Sequence, residues 1–139
     1  MKRKLNCILL IDDDEPTNFL NRMVIEELDC AHRVEIMQSA REALKYLTNT
    51  STSGEYPRPD LVFLDINMPA MDGWEFLDKY NHLPGDQKAK IIVVMLTTSF
   101  NPEDELKSRN FSGISGFRNK PLTPEMLTQI LQKHFPDHF

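Results

Sequence analysis

Short apolar runs alternate along the chain with segments in which apolar residues recur every three or four positions. The runs are rich in β-branched residues, which is typical of buried strands, and the segments between them have the spacing of amphipathic helices. This alternation predicts an α/β fold in which a parallel sheet carries helices on both faces. The five predicted strands cover residues 7–11, 33–37, 61–64, 91–96 and 114–117.

The predicted helices have recognisable starts. The first begins near Pro16, a residue suited to a first helical turn. Ser39 and Glu42, three residues apart, form a capping box for a second helix that runs through Leu47. The third and fourth are predicted over 72–80 and 102–109, and the fifth starts at Thr123. Residues expected on the inner face of the first helix are Phe19, Leu20, Met23, Val24 and Leu28, and those of the fifth are Met126, Leu127, Ile130 and Leu131.

Length and composition narrow the class of protein. At 139 residues we expect one domain over 1–139, with its core within about 5–135 and no output domain. The formal net charge of −5 argues against a nucleic-acid surface, and no apolar segment is long enough to span a membrane. Cys7 and Cys30 lack metal or redox spacing, which fits a cytoplasmic protein.

Acids, hydroxyls and one lysine follow the predicted strands. Ligands of open α/β sheets bind beyond the carboxyl ends of the strands, so these residues are expected at one rim. Several carboxylates at one rim repel each other unless a cation neutralises them. Oxygen ligands without His or Cys favour Mg²⁺ over zinc. The rim residues are Asp12, Asp13 and Asp14 after strand one, Asp65 after strand three, Thr97, Thr98 and Ser99 after strand four, and Lys120 and Pro121 after strand five.

Four segments resemble the receiver domains of bacterial response regulators. LVFLDINMPAMDG at 61–73 is similar to their phosphoacceptor segment, and ILLIDDDE, MLTTS and GFRNKPL match in residue type, order and spacing. The likeness covers roughly 5–135. It implies a flavodoxin-like, doubly wound sheet of five parallel strands in the order 2-1-3-4-5, with five helices.

The resemblance also implies a metal and phosphoryl site. Asp65 would be phosphorylated, and Mg²⁺ or Mn²⁺ would be held by Asp65, by Asp13 directly and by Asp12 largely through water. Asn67 would add its backbone carbonyl, and Lys120 would pair with the phosphoryl group.

A second group of residues is implied to act in switching. Thr97 would swing toward the phosphate, and Phe117 would turn inward in response. Thr98 and Ser99 occupy positions that tune the phosphoryl lifetime in the family, and Pro121 would follow a cis peptide bond. On residue chemistry alone, Asp14 and Glu15 are interpreted as the N-terminal cap of the first helix, and Asp72 with Gly73 as a turn and the cap of the third.

The implied function is a signalling switch of a two-component phosphorelay. It would catalyse its own phosphorylation from a phosphohistidine donor, and its own slow dephosphorylation, and would not be a turnover enzyme. Its partners would be a sensor histidine kinase or phosphotransfer protein and an unidentified downstream protein. The family also suggests homodimerisation through the fourth and fifth helices. Two alternatives stay open: a scaffold receiver that works without phosphorylation, and a Mg²⁺-dependent phosphatase with an aspartyl-phosphate intermediate. The phosphatase needs an acid two residues beyond its nucleophile, as Asp14 is from Asp12, and then a hydroxyl residue that is missing here.

Overall fold

Strands and helices alternate throughout the computed structural model, which describes residues 3–95, 102–111 and 113–139. A short 3-10 helix, Gly85–Gln87, precedes the fourth strand. The other elements, in chain order, are β1 (Leu5–Ile11), α1 (Glu15–Leu28), β2 (Ala31–Met37), α2 (Ala40–Thr48), β3 (Leu61–Asp65), α3 (Gly73–Asn81), β4 (Ile91–Met95), α4 (Pro102–Asn110), β5 (Gly116–Arg118) and α5 (Pro124–His134).

The strands form one parallel sheet in the order β2-β1-β3-β4-β5. The predicted parallel sheet and, within the described residues, the five predicted α-helices are present. Strand bounds differ most at β5, which was expected over 114–117 and pairs with β4 only from Gly116. The chain turns just before it, because Gly113 has a φ of +86°, a backbone conformation that interrupts an extended strand.

Two apolar clusters, one on each side of the sheet, form the core. Alternate residues of β1 point to opposite faces, so Leu9 and Ile11 pack toward α2 and α3, whereas Ile8 and Leu10 pack toward α1 and α5. Cys7 is buried, as predicted, and no helix in the described part of the chain is long and apolar enough to cross a membrane.

The predicted inner face of α1 is wrong for three of its five residues. Phe19, Leu20 and Met23 are 63%, 56% and 41% exposed, whereas Asn18 and Asn21 are buried, together with Ile25. The reason lies at the start of the helix, where Asn18 Nδ2 donates a hydrogen bond of 2.8 Å to the backbone carbonyl of Asp12. This bond fixes the rotation of α1 about its axis, and residues three to four positions from Asn18 then face the core.

Candidate functional site

The carboxyl ends of three strands bring together residues that are far apart in the sequence. Asp12 and Asp13 directly follow β1, Asp65 is the last residue of β3, and Lys120 lies two residues beyond β5. Because the strands are parallel and β1 and β3 are neighbours, these side chains meet at one rim of the sheet, as the sequence predicted.

Lys120 joins the two buried carboxylates at this rim. Its Nζ lies 2.6 Å from Asp12 Oδ2 and 3.0 Å from Asp65 Oδ1. The first contact is a hydrogen bond, whereas the second is a charge contact whose geometry leaves Asp65 Oδ1 without an aligned hydrogen-bond donor among the described residues. Asp12 and Asp65 are each only 4% exposed, so both charges are largely removed from water.

Asp13 completes a group of three carboxylates. One carboxylate oxygen from each of Asp12, Asp13 and Asp65 lies within 4.8 Å of the others, and Asp13 is the exposed member. Three oxygens of formal negative charge at this spacing are suited to a hard divalent cation. Asp65 Oδ1 is buried 3.0 Å from Lys120 Nζ and has no aligned donor among the described residues, so it is an acceptor that a bound cation would satisfy.

Burial governs the ionisation of the central carboxyl group. Burial and the negative charge of Asp12 raise the pKa of Asp65, Lys120 and the backbone of Asn67 lower it, and the net pKa is about 6. Burial by itself would lower the pKa of Lys120, but its contacts with Asp12 and Asp65 raise that pKa above its ordinary value. Lys120 therefore stays charged beside a carboxyl group whose ionisation is opposed by burial.

The segment after β1 is held by its own hydrogen bonds. Asp12 Oδ1 accepts from the backbone N–H of Asp14 at 2.9 Å, and the carbonyl of Asp12 accepts from Asn18. Asp14 caps α1 by accepting hydrogen bonds from the backbone and hydroxyl of Thr17. The predicted capping role of Asp14 is thus confirmed, and this carboxylate is occupied outside the three-carboxylate group.

Gly73 is a site residue that the sequence predictions treated only as part of a turn and helix cap. A Cβ at this position would lie 2.7 Å from the backbone oxygen of Asp65 and 2.8 Å from Cα of Ile66. Its N–H donates to the carbonyl of Ile66 at 2.8 Å, and Asp72 caps the helix through the backbone N–H of Glu75, as predicted. The start of α3 is therefore packed directly against the backbone that carries Asp65.

The structure describes three of the six other predicted site residues, Asn67, Phe117 and Pro121. Asn67 is exposed and its backbone contributes to the Asp65 environment. The Lys120–Pro121 peptide bond is cis, as the resemblance implied. Phe117 is half-buried and lines a groove of about 520 Å³ between α4, β5 and α5. Thr97, Thr98 and Ser99 lie outside the described residues.

Known proteins are similar to this chain in sequence and in fold. Residues 8–132 match the family model of the response regulator receiver domain. The chain belongs to the response-regulator receiver family. It is 35% identical over 101 residues to response regulator Rcp1 of Synechocystis, which covers 73% of this chain and 67% of that protein.

Solved receivers give the same fold. A two-component response regulator from Cytophaga hutchinsonii superposes with a TM-score of 0.82 at 30% identity, covering 96% of this chain and 99% of that one. The chemotaxis protein CheY4 of Vibrio cholerae gives 0.69 at 25% identity, covering 94% and 99%. The family has a flavodoxin-like fold. As a member of it, this chain contains a receiver domain of two-component signalling. Receiver domains are signalling switches that interact with histidine kinases or phosphotransfer proteins.

Proposed function

We propose that this receiver accepts a phosphoryl group on Asp65 in a Mg²⁺-dependent reaction and thereby switches a protein-binding face. The observation that carries the proposal is the position of Asp65, buried at the rim of the sheet, 3.0 Å from Lys120 and beside Asp12 and Asp13. A nucleophilic carboxylate, a fixed positive charge and a set of oxygen ligands are the parts that phosphoryl transfer requires.

The residues at the rim fit a Mg²⁺ or Mn²⁺ ion. Asp13 is the exposed ligand and is free to coordinate directly, whereas Asp12 is engaged by Lys120 and the N–H of Asp14, which suits a ligand acting through water. The carbonyl of Asn67 and the carboxylate of Asp65 are the further proposed ligands. The ion, when bound, supplies charge that neutralises the phosphoryl oxygens.

Lys120 is the proposed partner of the incoming phosphoryl group. In its present position Nζ is shared between two carboxylates, and transfer onto Asp65 would present it with phosphoryl oxygens in place of Asp65 Oδ1. Autocatalysis in this site amounts to positioning and charge neutralisation, so the protein acts as a switch with one acceptor rather than as a turnover enzyme.

The proposed readout begins at Thr97, whose hydroxyl would bind the new phosphate and draw its loop inward, with Thr98 and Ser99 setting the phosphoryl lifetime. Phe117 would turn inward from the groove between α4, β5 and α5, where it is half-buried. That groove is the proposed binding face for an unidentified downstream protein, and the kinase or phosphotransfer protein is the proposed donor.

Domain organisation and location are part of the same proposal. We assign the chain over 1–139 to a single receiver domain that works without a nucleic-acid partner, which its net charge of −5 supports. The free, buried thiols of Cys7 and Cys30 are compatible with a reducing cytoplasm.

Specific contacts argue against the scaffold and phosphatase alternatives. A scaffold receiver would have no need of Lys120 placed between two buried carboxylates, a costly arrangement that chemistry explains better than stability does. A phosphatase built on Asp12 would need Asp14 as its acid, but Asp14 is occupied in capping α1.

Fluorine NMR with beryllofluoride, which mimics a phosphoryl group on a carboxylate, tests the proposal without the native donor. We expect bound fluoride resonances in the presence of Mg²⁺, their loss in EDTA, and their absence in Asp65→Asn. Glu15→Gln, which changes an exposed acid at the start of α1, is the matched control and should keep the bound resonances. Absence of bound resonances in the folded wild-type protein at saturating Mg²⁺ would favour the scaffold alternative.

A further inference from the structure

The outer edge of β2 is long and open. Among the described residues, β2 pairs with β1 alone, so all seven residues of Ala31–Met37 present one unpaired edge. The opposite edge of the sheet is formed by β5, which has three residues. An unpaired strand edge is a template for pairing with another strand, and proteins commonly keep such edges short for this reason.

Grooves flank both faces of β2. One of about 540 Å³ lies beside α2 and the 49–57 segment, and one of about 310 Å³ lies beside α1. Arg33 and Glu35 line both grooves, and their side chains are 52% and 35% exposed while forming an ion pair of 3.0 Å with each other. The edge is therefore reachable from solvent along the strand.

The charges along β2 are complementary to those of a second, antiparallel copy of the same strand. A twofold axis through Val34 places Arg33 opposite Glu35 of the second copy, and Glu35 opposite its Arg33, on the same face of the sheet. All seven residues pair in this register, with His32 opposite Ile36 on the other face.

Neighbouring registers are unfavourable. A symmetric antiparallel pair that keeps like faces together can shift only by moving the axis from Val34 to Arg33 or Glu35. Either shift puts two like charges directly opposite each other, which destabilises a strand pair. The charges of β2 thus favour the register centred on Val34 over its two nearest neighbours.

Two exposed apolar residues of α1 are neighbours, along the helix, of the residues that line the groove between α1 and β2. Arg22 and Glu26 line the groove between α1 and β2, and Phe19 and Met23 each precede one of them by three residues, so they occupy the adjoining strip of the same flank. Phe19 is 63% exposed and Met23 is 41% exposed. Two large exposed apolar side chains on this flank of α1 favour contact with another chain.

We propose that this face is a homodimer interface, in which β2 of one copy pairs antiparallel with β2 of a second copy about Val34 to give a continuous ten-stranded sheet. The cross-strand pairs of Arg33 and Glu35 fix the register, and the flanks of α1 carrying Phe19 and Met23 approach each other above the junction. This interface is isologous, so it closes at two copies. It lies at the edge opposite β5 and does not depend on phosphorylation of Asp65.

Two charge reversals test the register. Arg33→Glu gives a strand with two acids, and Glu35→Arg gives one with two bases, so each variant alone brings like charges together across the axis. We expect sedimentation velocity to show a wild-type dimer in the micromolar range, with its dissociation constant raised about tenfold or more in either variant. A one-to-one mixture of the two variants should form a heterodimer with affinity within about threefold of wild type.

The mixture is the decisive arm, because neither variant retains the ion pair within β2 and only contacts between chains can restore association. Circular dichroism melting identifies a variant that has lost its fold, and Leu106→Ser on exposed α4 is a control that should leave the dimer intact. The proposal is overturned by a wild-type monomer at all concentrations, by a mixture that stays monomeric, or by a dimer that Leu106→Ser abolishes and the reversals spare. It is also overturned if Phe19→Ser slows phosphoryl transfer from a donor protein but leaves the dimer unchanged.

Discussion

Asp65 combines two demands that oppose each other in the protein without a bound cation. The carboxylate must be buried to face a metal and a phosphoryl group, yet burial beside Asp12 raises its pKa to about 6. Ionised Asp65 therefore costs folding free energy at neutral pH, and Lys120 offsets only part of that cost. Stability has been exchanged for reactivity at this residue.

Replacement of Asp65 by Asn should stabilise the metal-free protein. The pKa of Asp65 is raised in the folded state, so its favourable contribution is present below about pH 4 and is lost as pH rises through about 6. Asp65→Asn should then be more stable than wild type by about 1 to 3 kcal/mol above pH 7 in EDTA, and the difference should vanish near pH 4. Urea unfolding of both proteins across this range measures it, and a difference that does not change with pH would contradict the assignment.

Removal of the Lys120 charge should have the opposite effect. Lys120→Met leaves two buried carboxylates without their cation, and we expect a loss of about 2 to 4 kcal/mol in the free energy of unfolding in EDTA. Mg²⁺ should recover part of this loss, because it neutralises the same carboxylates. Lys90→Met is the matched control. It removes a 3.2 Å contact with buried Asp60, but the Lys90 side chain is 58% exposed. Its loss should therefore lower the free energy of unfolding by less than about 1 kcal/mol. Equal losses of unfolding free energy in Lys120→Met and Lys90→Met would contradict the proposal that burial makes the Lys120 contacts more costly to lose.

At the level of elements, α3 is coupled to the site through its first residue. Gly73→Ala introduces a Cβ that meets backbone atoms of Asp65 and Ile66. Backbone atoms cannot move aside as the end of a flexible side chain can. We expect a loss of about 1 to 3 kcal/mol in unfolding free energy and a weaker affinity for Mg²⁺, since the Asp65 backbone must shift. Gly85→Ala, where a Cβ has open space, should change neither quantity appreciably. An unaltered Mg²⁺ affinity in a destabilised Gly73→Ala would separate α3 from the site.

Much of the fold was predictable at this level, for reasons visible in particular residues. Helix starts at Asp14, Ser39 and Thr123 follow from local cap chemistry, which needs no tertiary information. The meeting of Asp12, Asp65 and Lys120 follows from the parallel order of strands, since their carboxyl ends share a rim.

The inner face of α1 was not predictable in this way. Its rotation is set by a hydrogen bond from Asn18 to the backbone of Asp12, and no hydrophobic pattern encodes that bond. Asn18, a polar residue at the fourth position of a helix that follows an acid cluster, is the sequence signal that would have indicated this hydrogen bond. The close approach of Gly73 likewise depends on packing between α3 and β3.

The whole molecule places its chemistry and its open edge on different parts of one sheet. The site lies at the carboxyl ends of β1 and β3, the groove around Phe117 lies toward β5, and the self-complementary edge lies at β2. Phosphorylation, partner binding and the proposed dimerisation can therefore be altered separately by substitution.

Phe117→Ala should leave beryllofluoride binding intact while weakening binding of a downstream protein, and unchanged binding would remove Phe117 from the switch.

Intact-protein mass spectrometry after incubation with acetyl phosphate tests whether Asp65 is the phosphoacceptor. We expect a labile adduct of one phosphoryl group in wild type with Mg²⁺, and no adduct in EDTA or in Asp65→Asn. An adduct that persists in Asp65→Asn, or that forms equally without a divalent cation, would contradict the assignment of Asp65 as a Mg²⁺-dependent phosphoacceptor.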